Sequence, residues 1–304
     1  MRAVYTSDMN RATVIATYSR RMRLRLDDNS EVDARIKGKR LKPVCGDVVV
    51  AVPLQEEDDW LITSIEDRRN ELTRPNTRGK TEILAANLDY LLVVAAAEPA
   101  ADWFIVDRYL CAAELMEIGA GIVFNKIDVD GAAAATELDT YRRAGYDAVA
   151  CSALSGDGID DVRRLLAGHR SIIVGQSGVG KSSIINCLLG GDVQKTSAVS
   201  DKSREGRHTT VNSIMLRLPG GAEIIDSPGV RDYAPSLESA IAAAQGFREF
   251  REQARHCRFA NCRHLREPGC AVKDAVERDE ISARRYESYR RIVNLTEQLA
   301  EGRY

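Results

Sequence analysis

Gly175-Gln176-Ser177-Gly178-Val179-Gly180-Lys181-Ser182 fits the phosphate-loop pattern G-x-x-x-x-G-K-[ST]. Gly175, Gly178 and Gly180 allow the backbone N–H groups to close around phosphate oxygens. Lys181 reaches the β- and γ-phosphates as a mobile point charge, and the Ser182 hydroxyl is a Mg²⁺ ligand. The flanks suit the motif. Ser171-Ile172-Ile173-Val174 reads as a buried strand, and Ser183 to Leu189 reads as a helix whose N-terminus adds partial positive charge to the same anion site. A chance glycine-rich turn would lack both flanks.

Earlier in the chain, Asn125-Lys126-Ile127-Asp128 follows a short apolar strand, Gly121-Ile122-Val123-Phe124. That places a polar tetrapeptide at the carboxyl end of a strand, where open α/β sheets bind ligands. An aspartate at the fourth position accepts hydrogen bonds from N1–H and the 2-amino group of guanine. Adenine lacks both donors and would leave the carboxylate unpaired. Asn125 is expected on the base edge, and Lys126 along the nucleotide with Ile127 beside it. Downstream, Ala148 to Cys151 reads as a strand running into Ser152-Ala153, a turn that can offer a backbone N–H to guanine O6. By itself the tetrapeptide also fits an ordinary polar turn; together with the phosphate loop it favours a guanine nucleotide.

Ile224-Ile225-Asp226-Ser227-Pro228-Gly229 puts an acidic residue at another strand end. Asp226 is expected to hold Mg²⁺ through water, and the Gly229 N–H to meet the γ-phosphate. Between the two motifs, Val193 to Val211 has no apolar periodicity and reads as a loop. It contains Gly206-Arg207-His208-Thr209-Thr210, in which Thr209 or Thr210 would complete the Mg²⁺ shell. Val230 stands just beyond the Asp226 turn, where Ras-type enzymes carry a water-orienting Gln. Valine can do no such work. His208 is the nearest polar candidate in sequence, and a solvated loop histidine is the alternative reading.

The order of these motifs narrows the function further. The base-reading motif precedes the phosphate loop, the reverse of an ordinary small GTPase, so the domain reads as circularly permuted.

Near the C-terminus, Cys257-x4-Cys262-x-His264-x5-Cys270 sets four soft ligands at a spacing suited to tetrahedral Zn²⁺ in a closed structural site. The stretch has little apolar content, so metal would supply folding free energy that a core does not. His256 is a competing ligand in sequence. Disulfides fit poorly with a cytosolic nucleotide enzyme. Cys45, Cys111, Cys151 and Cys187 are scattered among apolar residues and read as reduced.

The chain has 304 residues and a net charge of −2, so it suits two or three domains and is not a generally basic nucleic-acid binder. No signal peptide or transmembrane span is evident, and a cytoplasmic protein with no membrane partner is expected. The N-terminal part alternates in short strands: Ala12–Tyr18, Met22–Leu26, Val32–Ile36, Val48–Val52 and Trp60–Ile65. Five such strands predict a small OB-type β-barrel. Arg20, Arg21, Arg23, Arg25, Arg35, Lys37, Lys39, Arg40 and Lys42 crowd its second and third strands, a candidate RNA face whose alternative is a solvated basic surface.

After a linker-like stretch, Pro75 to Lys80, strands and helices alternate in a parallel α/β pattern: strand 88–95, helix 103–118, strand to Phe124, helix 134–143, strand to Cys151, helix 159–167. The tail from Ala283 to Leu299 is a charged helix with Tyr286, Tyr289 and Ile292 on one face. Three units follow: an OB-fold RNA-binding domain over 1–75, a circularly permuted P-loop GTPase domain over 76–235, and a zinc-binding helical domain over 236–304.

An OB-like barrel, NKID before GQSGVGKS, then GRHTT, DSPG and C-x4-C-x-H-x5-C: this combination resembles the ribosome-small-subunit-dependent GTPase A family, RsgA, over nearly the whole chain. The resemblance implies a bacterial enzyme that hydrolyses GTP to GDP and phosphate and acts late in small-subunit assembly, stimulated by the subunit. Its implied partners are the small ribosomal subunit and 16S rRNA, with one Zn²⁺ per chain, Mg²⁺ with GTP, and a monomeric state. His208 corresponds to the family's candidate catalytic histidine. Members often carry a third threonine after GRHTT; Val211 stands there, which keeps Thr209 and Thr210 both open as the Mg²⁺ ligand. Two other classes remain: a permuted GTPase serving a different RNA or membrane process, and a zinc-stabilised RNA-binding protein with a passive nucleotide clamp.

Overall fold

In the computed structural model, residues 9–19, 21–38, 40–54, 59–75, 81–190, 211–227 and 240–301 are described. His208, Thr209, Thr210, Gly229, Val230, Arg20 and Lys39 lie outside them.

The N-terminal sequence alternates with a period of two, so each strand turns one row of side chains inward. Strands β1 (Asn10–Tyr18), β2 (Met22–Leu26), β3 (Glu31–Ile36), β4 (Val48–Pro53) and β5 (Trp60–Ile65) follow the expected segments to within two residues at either end. They pair in the order β1-β2-β3-β5-β4, and β4 returns to β1, which closes a barrel. The β3–β5 pairing is parallel and the others antiparallel. Val14, Leu24, Ala34, Val49, Ala51 and Ile62 fill the interior. This is the OB-type barrel the alternation predicts. Four of its basic residues make ion pairs. Arg23 pairs with Asp33, Arg21 and Arg35 with Asp59, and Arg25 reaches away from the barrel to Glu223 at 2.6 Å.

The chain then makes a hairpin, β6 (Glu71–Pro75) against β7 (Thr81–Ala86). The stretch expected as a linker, Pro75 to Lys80, joins these two strands, and its residues 76–80 are outside the described set.

Six strands form the central sheet: β8 (Tyr90–Ala96), β9 (Gly119–Asn125), β10 (Asp147–Ala150), β11 (Arg170–Val174), β12 (Val211–Arg217) and β13 (Glu223–Asp226). Their order is β10-β9-β8-β11-β13-β12, parallel except at β12. β8 is buried along its whole length, as a strand covered on both faces should be. Helices α1 (Trp103–Leu115) and α2 (Gly131–Arg143) cover one face; α3 (Ile159–Leu166) and α4 (Lys181–Leu189) cover the other. The strand order reverses direction between β8 and β11. That reversal opens a crevice at the carboxyl ends of the strands.

One strand belongs to both assemblies. The first half of β1 pairs with β4 in the barrel, while Ala16, Thr17 and Tyr18 pair with Ile214, Ser213 and Val211 of β12. The ladder therefore runs unbroken from the barrel into the central sheet.

Among the described residues, four helices follow: α5 (Ala240–Gln245), α6 (Phe250–Ala254), α7 (Ala271–Glu277) and α8 (Ala283–Glu301). Phe247, Phe250, Val272, Tyr289 and Ile292 make their core, with Tyr286 packed against it. This agrees with the apolar face read in the tail helix. Helix α8 docks on α1, where Asp107 receives Arg285, and Glu114 of α1 receives Arg248 from just before α6 and Arg251 from within it.

Candidate functional site

Among the described residues, the base-reading tetrapeptide, the Ser152-Ala153 turn, the phosphate loop and Asp226 each stand at the carboxyl end of a parallel strand, so these four face the same crevice. The phosphate loop leaves β11 and runs into α4. Gly175 has φ +136° and Gly180 has φ +94°, backbone conformations that suit glycine. A Cβ on Gly175 would stand 2.2 Å from the Val94 carbonyl oxygen. Val179 is buried and anchors the loop, whereas Ser177 and Gly178 are exposed, as are Ser182 and Ser183 in the first turn of α4. Lys181 donates through Nζ to the Gly175 and Gln176 carbonyls at 2.8 and 2.6 Å. Its charge is thereby kept over the loop where phosphates would lie. Gln176 Oε1 accepts from the Asp102 N–H at 2.8 Å, and Asp102 Oδ1 caps α1 by accepting from Phe104 N at 3.0 Å. The loop is thus tied to the start of α1, a link the sequence reading missed. The Asp-Trp pair opening an apolar helical run signals the cap, but not its partner.

The guanine-reading group is assembled from two strand ends. Ser152 Oγ donates to Asp128 Oδ1 at 2.5 Å, which fixes the exposed carboxylate. The same hydroxyl accepts from Leu154 N and Ser155 N. Ile127 N bonds to the Cys151 carbonyl. Lys126 sits at φ +64° and donates to the Glu98 carbonyl at 2.6 Å. Asn125 ends β9 and holds the surrounding motifs together. It is buried, its amide N–H donates to the Val179 carbonyl at 2.9 Å, and its Oδ1 accepts from Ala153 N at 3.0 Å. Asn125 therefore pins the base-reading segment, the Ser152-Ala153 turn and the phosphate loop to one another. The physical reason is burial, which obliges both polar ends of the amide to find protein partners.

Asp226 ends β13 in the same crevice, next to Ser227, whose hydroxyl accepts from Ser213 Oγ at 2.9 Å. The groups expected to complete the Mg²⁺ shell and the γ-phosphate contact, Thr209 or Thr210 and Gly229, fall outside the described residues, as does His208.

The C-terminal cluster meets a metal's demands closely. One atom each from Cys257, Cys262, His264 and Cys270 lies within 4.8 Å of the others. Both Cys257 Sγ and Cys270 Sγ are 3.5 Å from His264 Nδ1, and the two sulfurs are 4.0 Å apart. Zinc bonds of about 2.1–2.3 Å arranged tetrahedrally require ligand separations of about 3.5–3.8 Å. His256 is exposed and stands outside the cluster. Burial lowers the His264 pKa, which favours the neutral imidazole that binds metal. Tyr286 and Tyr289 of α8 donate to the His264 and Arg263 carbonyls, and Glu267 accepts from the N–H groups of Arg263, Leu265 and Arg266. These bonds support the ligand loop from outside the cluster.

Fold and site together define a P-loop protein with its guanine-nucleotide motifs in permuted order. The RsgA GTPase family model matches residues 65–235, and the chain belongs to that family of GTP hydrolases. Among its relatives is the small ribosomal subunit biogenesis GTPase RsgA of Chromohalobacter salexigens, 42% identical over 254 residues that make up 83% of this chain and 74% of that one. The protein of the same name from Saccharophagus degradans is 38% identical over 292 residues, 92% and 85% of the two chains. The solved structure of YjeQ from Thermotoga maritima superposes with a TM-score of 0.75 at 27% identity, covering 95% of this chain and 99% of that one. Among the described residues, no helix is long and apolar enough to cross a membrane.

Proposed function

We infer that this chain hydrolyses GTP in the service of small-ribosomal-subunit biogenesis, with turnover stimulated by the subunit. The observation that carries the reading is the convergence of Asp128, the phosphate loop and Asp226 on one crevice of a sheet whose edge strand is hydrogen-bonded to an OB-type barrel. The curated relatives named for this process support the choice of particle. The working units are taken as 1–75, 76–235 and 236–304, the first and last gripping 16S rRNA while the middle one turns over nucleotide. The protein acts as a monomer in the cytoplasm.

The residues divide the work as follows. Asp128, fixed by Ser152, accepts from the guanine N1–H and 2-amino group, and the Ser152-Ala153 turn lines the O6 side of the base. Lys126 and Ile127 flank the base. Gly175 to Gly180 surround the phosphates with backbone N–H groups. Lys181 exchanges its carbonyl contacts for the β- and γ-phosphates, with Ser183 in the first turn of the helix. Mg²⁺ would be held by Ser182, by Asp226 through water, and by Thr209 or Thr210; when bound, it neutralises charge between the β- and γ-phosphates. The Gly229 N–H meets the γ-phosphate. A water attacks the γ-phosphorus, the bond to the β-phosphate oxygen breaks, and GDP and phosphate leave. His208 orients that water in the place of the missing Gln. Zn²⁺ held by Cys257, Cys262, His264 and Cys270 is structural.

The test is GTP hydrolysis with and without purified small subunits. Stimulation is expected, with His208→Ala removing most of the stimulated rate while nucleotide and subunit binding survive. An unstimulated wild-type rate would remove the subunit from the reading. Full stimulated turnover by His208→Ala would remove His208.

A further inference from the structure

Where α1 begins and α8 passes over it, a groove of 470 Å³ opens between the nucleotide-binding domain and the C-terminal helices. Trp103, Phe104, Ser288 and Arg291 are among its walls. The Arg291 guanidinium lies over the Phe104 ring with its carbon 3.9 Å from the centroid. At that distance the ring covers one side of the guanidinium and leaves its other side open. Arg291 is exposed and makes no ion pair among the described residues. Arg284, over the Trp103 ring at 5.0 Å, is already matched by Asp107 and Glu137.

The acidic groups at the groove are engaged elsewhere. Asp102 caps α1, and Glu287 pairs with Arg290 at 2.8 Å. Arg291 is therefore a planar cation with no carboxylate partner among the described residues, at the same groove as a half-buried indole. The volume suits a single nucleoside.

We propose that this groove binds one nucleotide of single-stranded RNA, its base stacked on the exposed face of the Arg291 guanidinium and its phosphate held by the Arg291 N–H groups. Planar guanidinium and aromatic faces are the usual platforms for unpaired bases, and bidentate N–H pairs suit phosphate oxygens. The site adjoins the nucleotide crevice, because the same Asp102 that opens α1 also donates its N–H to Gln176 of the phosphate loop. The proposal rests on the reading that the protein works on a ribosomal particle.

The experiment uses the full chain and a short single-stranded oligoribonucleotide carrying photoreactive thiouridine, with cross-linked peptides mapped by mass spectrometry. The expected cross-link falls on the peptide containing Trp103 and Phe104, and excess duplex RNA fails to displace it. Arg291→Gln should lower capture about tenfold, the order of one stacked base. Binding of a fluorescent GDP analogue should stay unchanged, which reports intact folding. Arg291→Lys keeps the charge and loses the plane; full capture by that variant would overturn the stacked geometry. Cross-links confined to the barrel, or unchanged capture by Arg291→Gln, would overturn the site itself. So would a cross-link from Arg291 to a ribosomal protein in the subunit complex. Subunit-stimulated GTP hydrolysis, measured on the same wild-type preparation, separates the two ideas: stimulation without the groove cross-link sinks the groove alone.

Discussion

The Arg285 guanidinium on α8 donates to the Asp107 carboxylate on α1 at 2.6 Å, and both side chains are closed to solvent. Glu249 takes the other edge of the guanidinium, and the Tyr141 hydroxyl donates to the same Asp107 oxygen. Burial pushes the Asp107 carboxyl above its ordinary range against the pull of Arg285 and Arg284. Burial also works against the Arg285 charge, but Glu249 and Asp107 outweigh it. The guanidinium stays charged because two carboxylates face it. The union of the nucleotide-binding domain and the C-terminal helices is therefore a desolvated ionic knot, and such knots tolerate the loss of one member poorly.

Arg285→Met leaves Asp107 and Glu249 without their shared cation. A loss of about 3–5 kcal/mol is expected, the cost of stranding a buried charge. Urea unfolding measures it, and a loss below about 1 kcal/mol would show that the two carboxylates find other partners or take up protons cheaply.

Asp89 gives a pH signature. Burial works against its charge, but the Arg170 N–H at 2.9 Å and the Arg69 guanidinium at 2.9 Å hold its pKa below the ordinary carboxylate value. A depressed folded-state pKa contributes stability at pH values above the unfolded pKa of about 3.9, and that stability fades as pH falls through the folded value. Asp89→Asn should therefore melt earlier than wild type at neutral pH, and the gap should close in acid. A gap that widened in acid would contradict the assignment.

Gly180→Ala tests the hub at Asn125. A Cβ there would stand 2.2 Å from Asn125 Nδ2, at a φ of +94°. Loop and base-reading segment cannot both keep their places. Nucleotide affinity should fall at least about tenfold, ~1.4 kcal/mol, in a titration with fluorescent GDP. Retained affinity would mean that Asn125 can let go of Val179 at little cost.

Asp128→Asn should weaken GTP and gain xanthosine triphosphate, since an amide donates where xanthine presents a 2-oxo group. Ser152→Ala should weaken both GTP and GDP without changing base preference, because it frees the carboxylate rather than altering its chemistry. Unchanged GTP affinity in Asp128→Asn would remove this residue as the base reader.

Metal analysis should find one zinc per chain, and Cys262→Ser should lower that content and the thermal stability of the C-terminal helices. Intact protein without zinc would end the metal assignment, leaving the thiols as a preorganised but empty cluster.

Much of this was legible in the residues. Strand alternation gave the barrel because each inward row, such as Val14, Leu24 and Ile62, recurs at a period of two. The phosphate loop and the zinc spacing were local patterns and came through intact. What escaped detection depends on distant partners. β12 carries no strong alternation and is defined by its neighbours β1 and β13. The protein partners of Arg25 and Asn125 were hidden for the same reason: charge and type are visible in a sequence, whereas Glu223 and Val179 become their partners only after folding.

The shared strand β1 sets a limit on how this chain can be taken apart. Removing residues 1–75 would do more than delete a barrel. It would bare the N–H and C=O groups of β12 along the lateral margin of the central sheet, beside the strand that ends in Asp226. Uncovered margins of that kind recruit a strand from another molecule. The truncated protein should therefore self-associate through β12, and any change in its nucleotide turnover would report on that new neighbour as much as on the missing barrel.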